Sequence, residues 1–137
     1  MKKLTLFCVL IGYAALAFSQ TSSPKPWLGM GLVLRPQADG GKFLYVAHAP
    51  KDMPAYQSGI RQGDLITAID GKPITFRDDL DLIEYTSALA VGRILKLRVV
   101  RAGKQHDLRL RVGRLPAEYE ERFEESLRRA REARARR

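Results

Sequence analysis

The run Ser58-Gly59-Ile60-Arg61-Gln62-Gly63-Asp64-Leu65-Ile66-Thr67-Ala68-Ile69-Asp70-Gly71-Lys72-Pro73 constrains this chain more tightly than any other stretch. Two glycine-bracketed turns enclose one short apolar strand. Gly59 and Gly63 stand where the backbone must reverse or be closely approached, which a side chain would hinder. Leu65, Ile66 and Ile69 supply a buried strand, and Asp70-Gly71 is a strong two-residue hairpin signal. Pro73 then opens a new extended piece that does not need the missing N–H.

The surrounding pattern mixes strands and helices. Trp27 to Arg35 reads as a first apolar strand, and Asp39-Gly40-Gly41 as a turn. Lys42 to Ala47 alternates as a second strand, followed by a loop from Pro50 to Ser58 with one helical turn at Pro54. Arg77 to Leu89 switches to helical spacing. Leu80, Ile83 and Ser87 fall on one line of that helix and Leu82, Tyr85 and Leu89 on another, with Gly92 after its end. Arg93–Arg101 and Gln105–Val112 alternate and are joined by Ala102-Gly103-Lys104, a hairpin. Without a regular strand–helix–strand alternation, the expected class is α+β.

The flanks differ from this centre. Lys2-Lys3 precede fifteen mostly apolar residues, Leu4 to Phe18, and Ala17-Phe18-Ser19 offers small residues at the −3 and −1 positions. That is the pattern of a secretory signal over residues 1–19, cleaved before Gln20. The alternative is an uncleaved anchor, for which fifteen residues are short against a ~30 Å hydrocarbon core. Cleavage would remove Cys8, the single cysteine, and with it any disulfide, thiolate metal site or thiol nucleophile. Residues 20–26 form a polar, Pro-containing linker, and 27–114 the globular domain. From Pro116 the composition turns to Glu and then Arg, the charge order that suits a helix macrodipole. Residues 115–137 therefore read as a charged helix with i,i+4 pairs Glu118–Arg122, Glu124–Arg128 and Glu125–Arg129. Tyr119, Phe123, Leu127 and Ala130 give it one narrow apolar stripe, so it needs a surface to lie on.

The Gly59–Pro73 run, after the Pro54-Ala55 turn, resembles the signature of PDZ domains, in particular those of bacterial Deg/HtrA-type proteins. The resemblance extends over about residues 27–114 and implies a small, partly open β-barrel or sandwich of five to six strands, with one main and one short helix. It also implies a site. Trp27-Leu28-Gly29-Met30 matches the family's x-Φ-Gly-Φ loop, in which unpaired N–H groups make an anion-binding concavity. The amides of Leu28, Gly29 and Met30 would receive a peptide's terminal carboxylate, and the peptide would add as a strand along Gly31 to Leu34. Its last side chain would enter an apolar pocket between Leu28, Met30, Leu32 and the helix residues Leu80, Ile83 and Ser87. Taken singly, Leu28, Met30, Leu32, Leu80 and Ile83 read more readily as core; it is their combination in family order that points to a groove. Gly31 marks a bulge, since glycine weakens a strand. Tyr56-Gln57-Ser58 stands where the family has small residues.

Other chemistry is hard to find. His48 and His106 have no partner at metal-ligand spacing. No serine sits in a nucleophile elbow, so the protease half of a Deg-type protein has no counterpart. Asp78, Asp79 and Asp81 suit a helix start. No catalytic residue, metal or cofactor is expected, and the chain reads as a non-enzyme.

Net charge is +9, of which residues 20–115 contribute +6 and 116–137 only +1. Arg93, Lys96, Arg98, Arg101, Lys104, Arg109, Arg111 and Arg114 crowd one hairpin, opposed by Asp107. This is either a solvated face or a surface for an anionic membrane or acidic partner. Nucleic acid is disfavoured, because export separates the chain from it and no aromatics are interleaved.

The expectation is an exported, periplasmic or secreted module that binds protein or peptide C-termini, an adaptor or regulator whose partner could be an envelope protease. The competing reading is a structural interaction protein that associates through its C-terminal helix or basic hairpin, without a working groove.

Overall fold

A computed structural model describes residues 23–137. The signal-peptide reading of residues 1–19 lies outside the described residues. Strands β1 (Pro26–Trp27), β2 (Gly31–Pro36) and β3 (Lys42–His48) come first, then the one-turn helix α1 (Pro54–Gln57). Strands β4 (Leu65–Ile69) and β5 (Lys72–Pro73) precede helix α2 (Asp79–Ser87). The hairpin β6 (Ile94–Arg101) and β7 (Lys104–Arg111) leads through β8 (Gly113–Arg114) to helix α3 (Glu120–Ala135). Six strands make one antiparallel sheet in the order β2-β3-β4-β6-β7, with β5 on β4, and β1 pairs with β8 as a separate ribbon.

Alternation sets the core. Along β6, Leu95, Leu97 and Val99 are buried while Ile94, Lys96 and Arg98 are exposed, the period of a sheet wet on one face. Leu44 and Val46 from β3, Ile66 from β4, and Leu110 and Val112 at the end of the chain's last long strand join them. Ile60, Ile74, Leu82 and Leu89 close the cluster from the loops and α2. Two of the three hairpin turns place two successive residues in the left-handed region: Asp70 (φ 50°) with Gly71, and Ala102 (φ 49°) with Gly103. This is the two-residue geometry that the Asp-Gly signal anticipates.

The Gly63-Asp64 signature has a tertiary reason. Asp64 is 1% exposed, the one buried charged residue among those described. Its Oδ2 accepts from the Arg61 amide at 2.8 Å and from Arg101 Nη2 at 2.7 Å, and its Oδ1 from Arg101 Nε at 2.8 Å. Burial pushes this carboxyl up, but those hydrogen bonds and the two nearby guanidinium charges outweigh it and hold it below its ordinary value. Arg101 also donates to the Gly59 carbonyl, so one guanidinium ties both turns of the signature to β6.

Three boundaries differ from the sequence reading. The strand expected over Trp27–Arg35 is broken: Gly29 turns at φ +73°, leaving Pro26–Trp27 to pair with β8 and Gly31–Pro36 with β3. The linker ends sooner than Pro26, because Leu115 donates to the Lys25 carbonyl and Pro26 already lies in β1. The C-terminal helix begins as a 3-10 turn at Ala117–Tyr119 and folds back on α2. Of its three expected i,i+4 pairs, Glu125–Arg129 forms, whereas Glu124 reaches Lys25 at 3.0 Å and Arg122 lies over the Tyr119 ring.

Candidate functional site

The bend between β1 and β2 is held from behind. The Ala55 amide donates to the Leu28 carbonyl at 3.0 Å, fixing the bend to the start of α1. A Cβ on Gly29 would stand 2.6 Å from both Met53 Cβ and Pro54 Cδ, so nothing larger fits there. Among the described residues, no group accepts from the amides of Leu28, Gly29 or Met30. Three successive amides left in this state form a concavity suited to an anion.

β2 continues from the bend. It pairs with β3 along one edge, with the anticipated register shift between Gly31 and Leu32, and no described strand pairs its other edge. Such an edge is a template for one more strand. Across from it stands α2, whose N-cap Asp78 accepts from the Asp81 amide. A cavity of about 710 Å³ lies between them, lined by Leu28, Met30 and Leu32 on one side and Leu80, Ile83 and Thr86 on the other.

The structure thus gathers eight of the nine sequence-derived site residues around one cavity: Trp27, Leu28, Gly29, Met30, Gly31, Leu32, Leu80 and Ile83. Ser87 is the exception. It is exposed, donates to the Ile83 carbonyl at 2.6 Å, and lines a shallow depression with Ser23–Pro26 and Leu89–Val91. Thr86 takes its place on the cavity wall, a shift of one position and therefore about 100° around the helix. His48, at the end of β3, also lines the cavity.

Helix α3 supplies a further wall, covering the groove through the apolar stripe that includes Tyr119 and Phe123. Tyr119 stacks on Trp27 with ring centroids 5.3 Å apart, and Phe123, Ser126 and Ala130 face the cavity. The Trp27 indole Nε1 is buried there without a hydrogen-bond partner among the described residues. At the other end, Arg134 Nε donates to Asp78 Oδ2 at 2.9 Å and Nη2 to Asp81 Oδ1 at 2.7 Å. Arg77 adds two more bonds to Asp81, through Nε at 2.9 Å and Nη2 at 3.1 Å. The hydrogen bonds from Arg134 hold the Asp78 carboxyl down at about 2, and those from Arg77 and Arg134 hold Asp81 well below the carboxylate range. The helix start is thereby locked in its charged form.

Comparison with known proteins identifies the family of the domain. The family model described as "PDZ domain" matches residues 26–112. A probable periplasmic serine endoprotease, DegP-like, from Pseudomonas fulva is 38% identical over 73 residues, 53% of this chain and 15% of that protein. The DegP-like protein of Rhizobium meliloti is 34% identical over 68 residues, 50% of this chain and 13% of its own. The chain therefore matches a small part of each of these curated relatives.

Among solved structures, the HtrA3 PDZ domain bound to a phage-derived ligand (FGRWV) superposes with a TM-score of 0.53 at 18% identity, covering 66% of this chain and 88% of that one. The HtrA-type protease AlgW with decapeptide gives a TM-score of 0.55 at 22% identity, over 68% of this chain and 30% of the other. At such identities the likeness is one of fold. It bears out the α+β architecture with an open six-stranded sheet.

Proposed function

This chain belongs to the PDZ domain family, and from that premise we propose that it captures the apolar C-terminal or extended segment of a partner protein. Membership makes it a protein-interaction module related to the HtrA and DegP domains, and the similarity lends no support to enzymatic activity. The segment adds antiparallel to the open edge of β2, its carboxylate received by the amides of Leu28, Gly29 and Met30. Its final side chain fills the cavity between Met30, Leu32, Leu80 and Ile83. The chain holds this segment and does not cut it. The observation that carries the reading is the coincidence of unpaired amides, a free strand edge and an apolar cavity at one place.

The setting proposed is the periplasm, after removal of residues 1–19, in keeping with the periplasmic names of the relatives. There the module acts as an adaptor or regulator, and an envelope protease is the partner class the DegP-like resemblance suggests. Calorimetric titration with peptides ending in an apolar residue tests the mechanism. Free-acid peptides bind in the micromolar range, and the same peptides amidated at the C-terminus bind at least tenfold more weakly, the loss of about one charge-assisted hydrogen bond. Equal affinity for acid and amide would remove the carboxylate from the mechanism.

A further inference from the structure

The groove leaves a strongly cationic strand face unused. On the outer face of the β6–β7 hairpin, Lys96 stands directly opposite Arg109, Ile94 opposite Arg111, and Arg98 opposite Asp107. All six are exposed. Arg98 and Asp107 are 3.8 Å apart, a loose pair, while the side chains of Lys96, Arg109 and Arg111 pair with no carboxylate among the described residues; the Lys96 backbone amide donates to Asp70 Oδ1 at 2.9 Å. Like charges directly opposite across strands are destabilising, so this arrangement works against the fold. Local rules of this kind are broken where function requires it.

Two further observations indicate what the face meets. Val91 and Ile94 are 38% and 46% exposed, two of the three large apolar side chains most open to water among the described residues. They flank Gly92-Arg93 at the corner where β6 begins, so the cationic strip ends in an aliphatic tip. The segment Ser23–Pro26 lies against Ala90 and Val91 in a shared depression. The chain therefore enters the domain at this same corner, directly downstream of the apolar run Leu4–Phe18. Cations spread over a flat sheet face attract a negatively charged plane, and aliphatic side chains at its border gain from shallow burial there.

From this juxtaposition we propose that the outer face of the β6–β7 hairpin, tipped by Val91 and Ile94, docks on a bilayer surface rich in anionic phospholipid. The groove lies across the domain between β2, α2 and α3, so docking leaves it open to a peptide. This surface is independent of the peptide reading and stands or falls separately.

Flotation of the mature chain, residues 20–137, with vesicles provides the test, comparing phosphatidylglycerol mixed into phosphatidylcholine with phosphatidylcholine alone. The expected result is binding that requires phosphatidylglycerol and is lost by ~0.5 M salt, where the screening length shrinks to a few ångström. Lys96→Glu places a carboxylate opposite Arg109 and weakens vesicle binding by roughly tenfold or more, while the melting temperature stays level or rises. Arg109→Gln, which also removes the opposed charges, is expected to weaken binding by about fivefold. The double variant Val91→Ser/Ile94→Ser weakens binding with the salt dependence preserved. Equal flotation of the mature chain with both vesicle types overturns the proposal. So does unchanged binding in Lys96→Glu, or binding to soluble polyglutamate with none to phosphatidylglycerol vesicles.

Discussion

Arg134, in the last turn of α3, grips Asp78, the N-cap of α2, across 56 positions of sequence. The pair fastens α3 over the cavity. Asp78 is part of the cavity lining, and the helix that carries Arg134 forms the cavity's outer wall. At the opposite end the stacking of Tyr119 on Trp27 pins the same helix beside the Leu28–Met30 bend. A peptide lying on β2 must pass beneath or alongside α3.

Releasing this fastening should therefore change peptide binding. Arg134→Ala removes the bonds to both Asp78 and Asp81, and a chain ending at Leu115 removes the wall altogether. Both are expected to bind long peptides severalfold more tightly and with a faster on-rate, as titration and stopped-flow mixing would read. Weaker binding in both would mean that α3 is a surface the peptide packs against.

The fastening also has a pH dependence whose direction follows from its carboxylates. The folded value of Asp78 is held at about 2, below the ordinary 3.8, and that of Asp81 is lower still. Depressed carboxyls contribute stability that is fully present above the ordinary value and is lost as pH falls toward the folded value. Docking of α3 should thus be constant from pH 5 to 7 and fail between about pH 4 and 2. Trp27 is the single tryptophan and stacks on Tyr119, so its fluorescence reports the event directly. A transition centred near pH 6 would show that other groups control the helix.

A second ion pair serves the fold. Asp64 is fully buried, while Arg101 keeps 39% of its side chain exposed. Arg101→Ala leaves a buried carboxylate with one backbone donor, Arg61, and should cost about 3 kcal/mol in denaturant unfolding. Arg101→Lys can approach one oxygen but cannot reproduce the two-pronged bond, and should recover less than half of that loss. An effect under ~1 kcal/mol for the alanine variant would class the pair with surface ion pairs.

What could be read in advance follows the range of the interactions. Asp70-Gly71 and the alternation of β6 are local, and both elements stand where the pattern puts them. The interruption at Gly29 leaves no trace in hydropathy, because Trp27-Leu28-Gly29-Met30-Gly31-Leu32 is apolar without a break, and is legible only in the family's loop pattern. Hydrophobicity says nothing about the left-handed turn that separates two pairing partners. The partnership of Asp64 with Arg101 spans 37 positions, and that of Arg134 with Asp78 spans 56, so neither leaves a periodic trace. The groove's loop and strand were legible through the family resemblance. Its α2 wall was legible to within one helical position, with Thr86 standing where Ser87 was expected.

The bend itself supplies the sharpest test of the groove. Gly29 is buried at φ +73°, and a Cβ there would meet Met53 and Pro54 at 2.6 Å. Gly29→Ala combines left-handed backbone strain with overpacking against the start of α1, each worth about 1–3 kcal/mol. Swinging away from Pro54 to relieve that clash breaks the Ala55–Leu28 hydrogen bond that fixes the bend to α1. We expect a loss of about 2–4 kcal/mol in stability together with a loss of discrimination between free-acid and amidated peptides. Leu80→Ala provides the contrast: it enlarges the apolar cavity, lowers affinity for both peptide forms and keeps their ratio. If Gly29→Ala retained the full preference for the free acid, the carboxylate would have to be held by groups other than these amides.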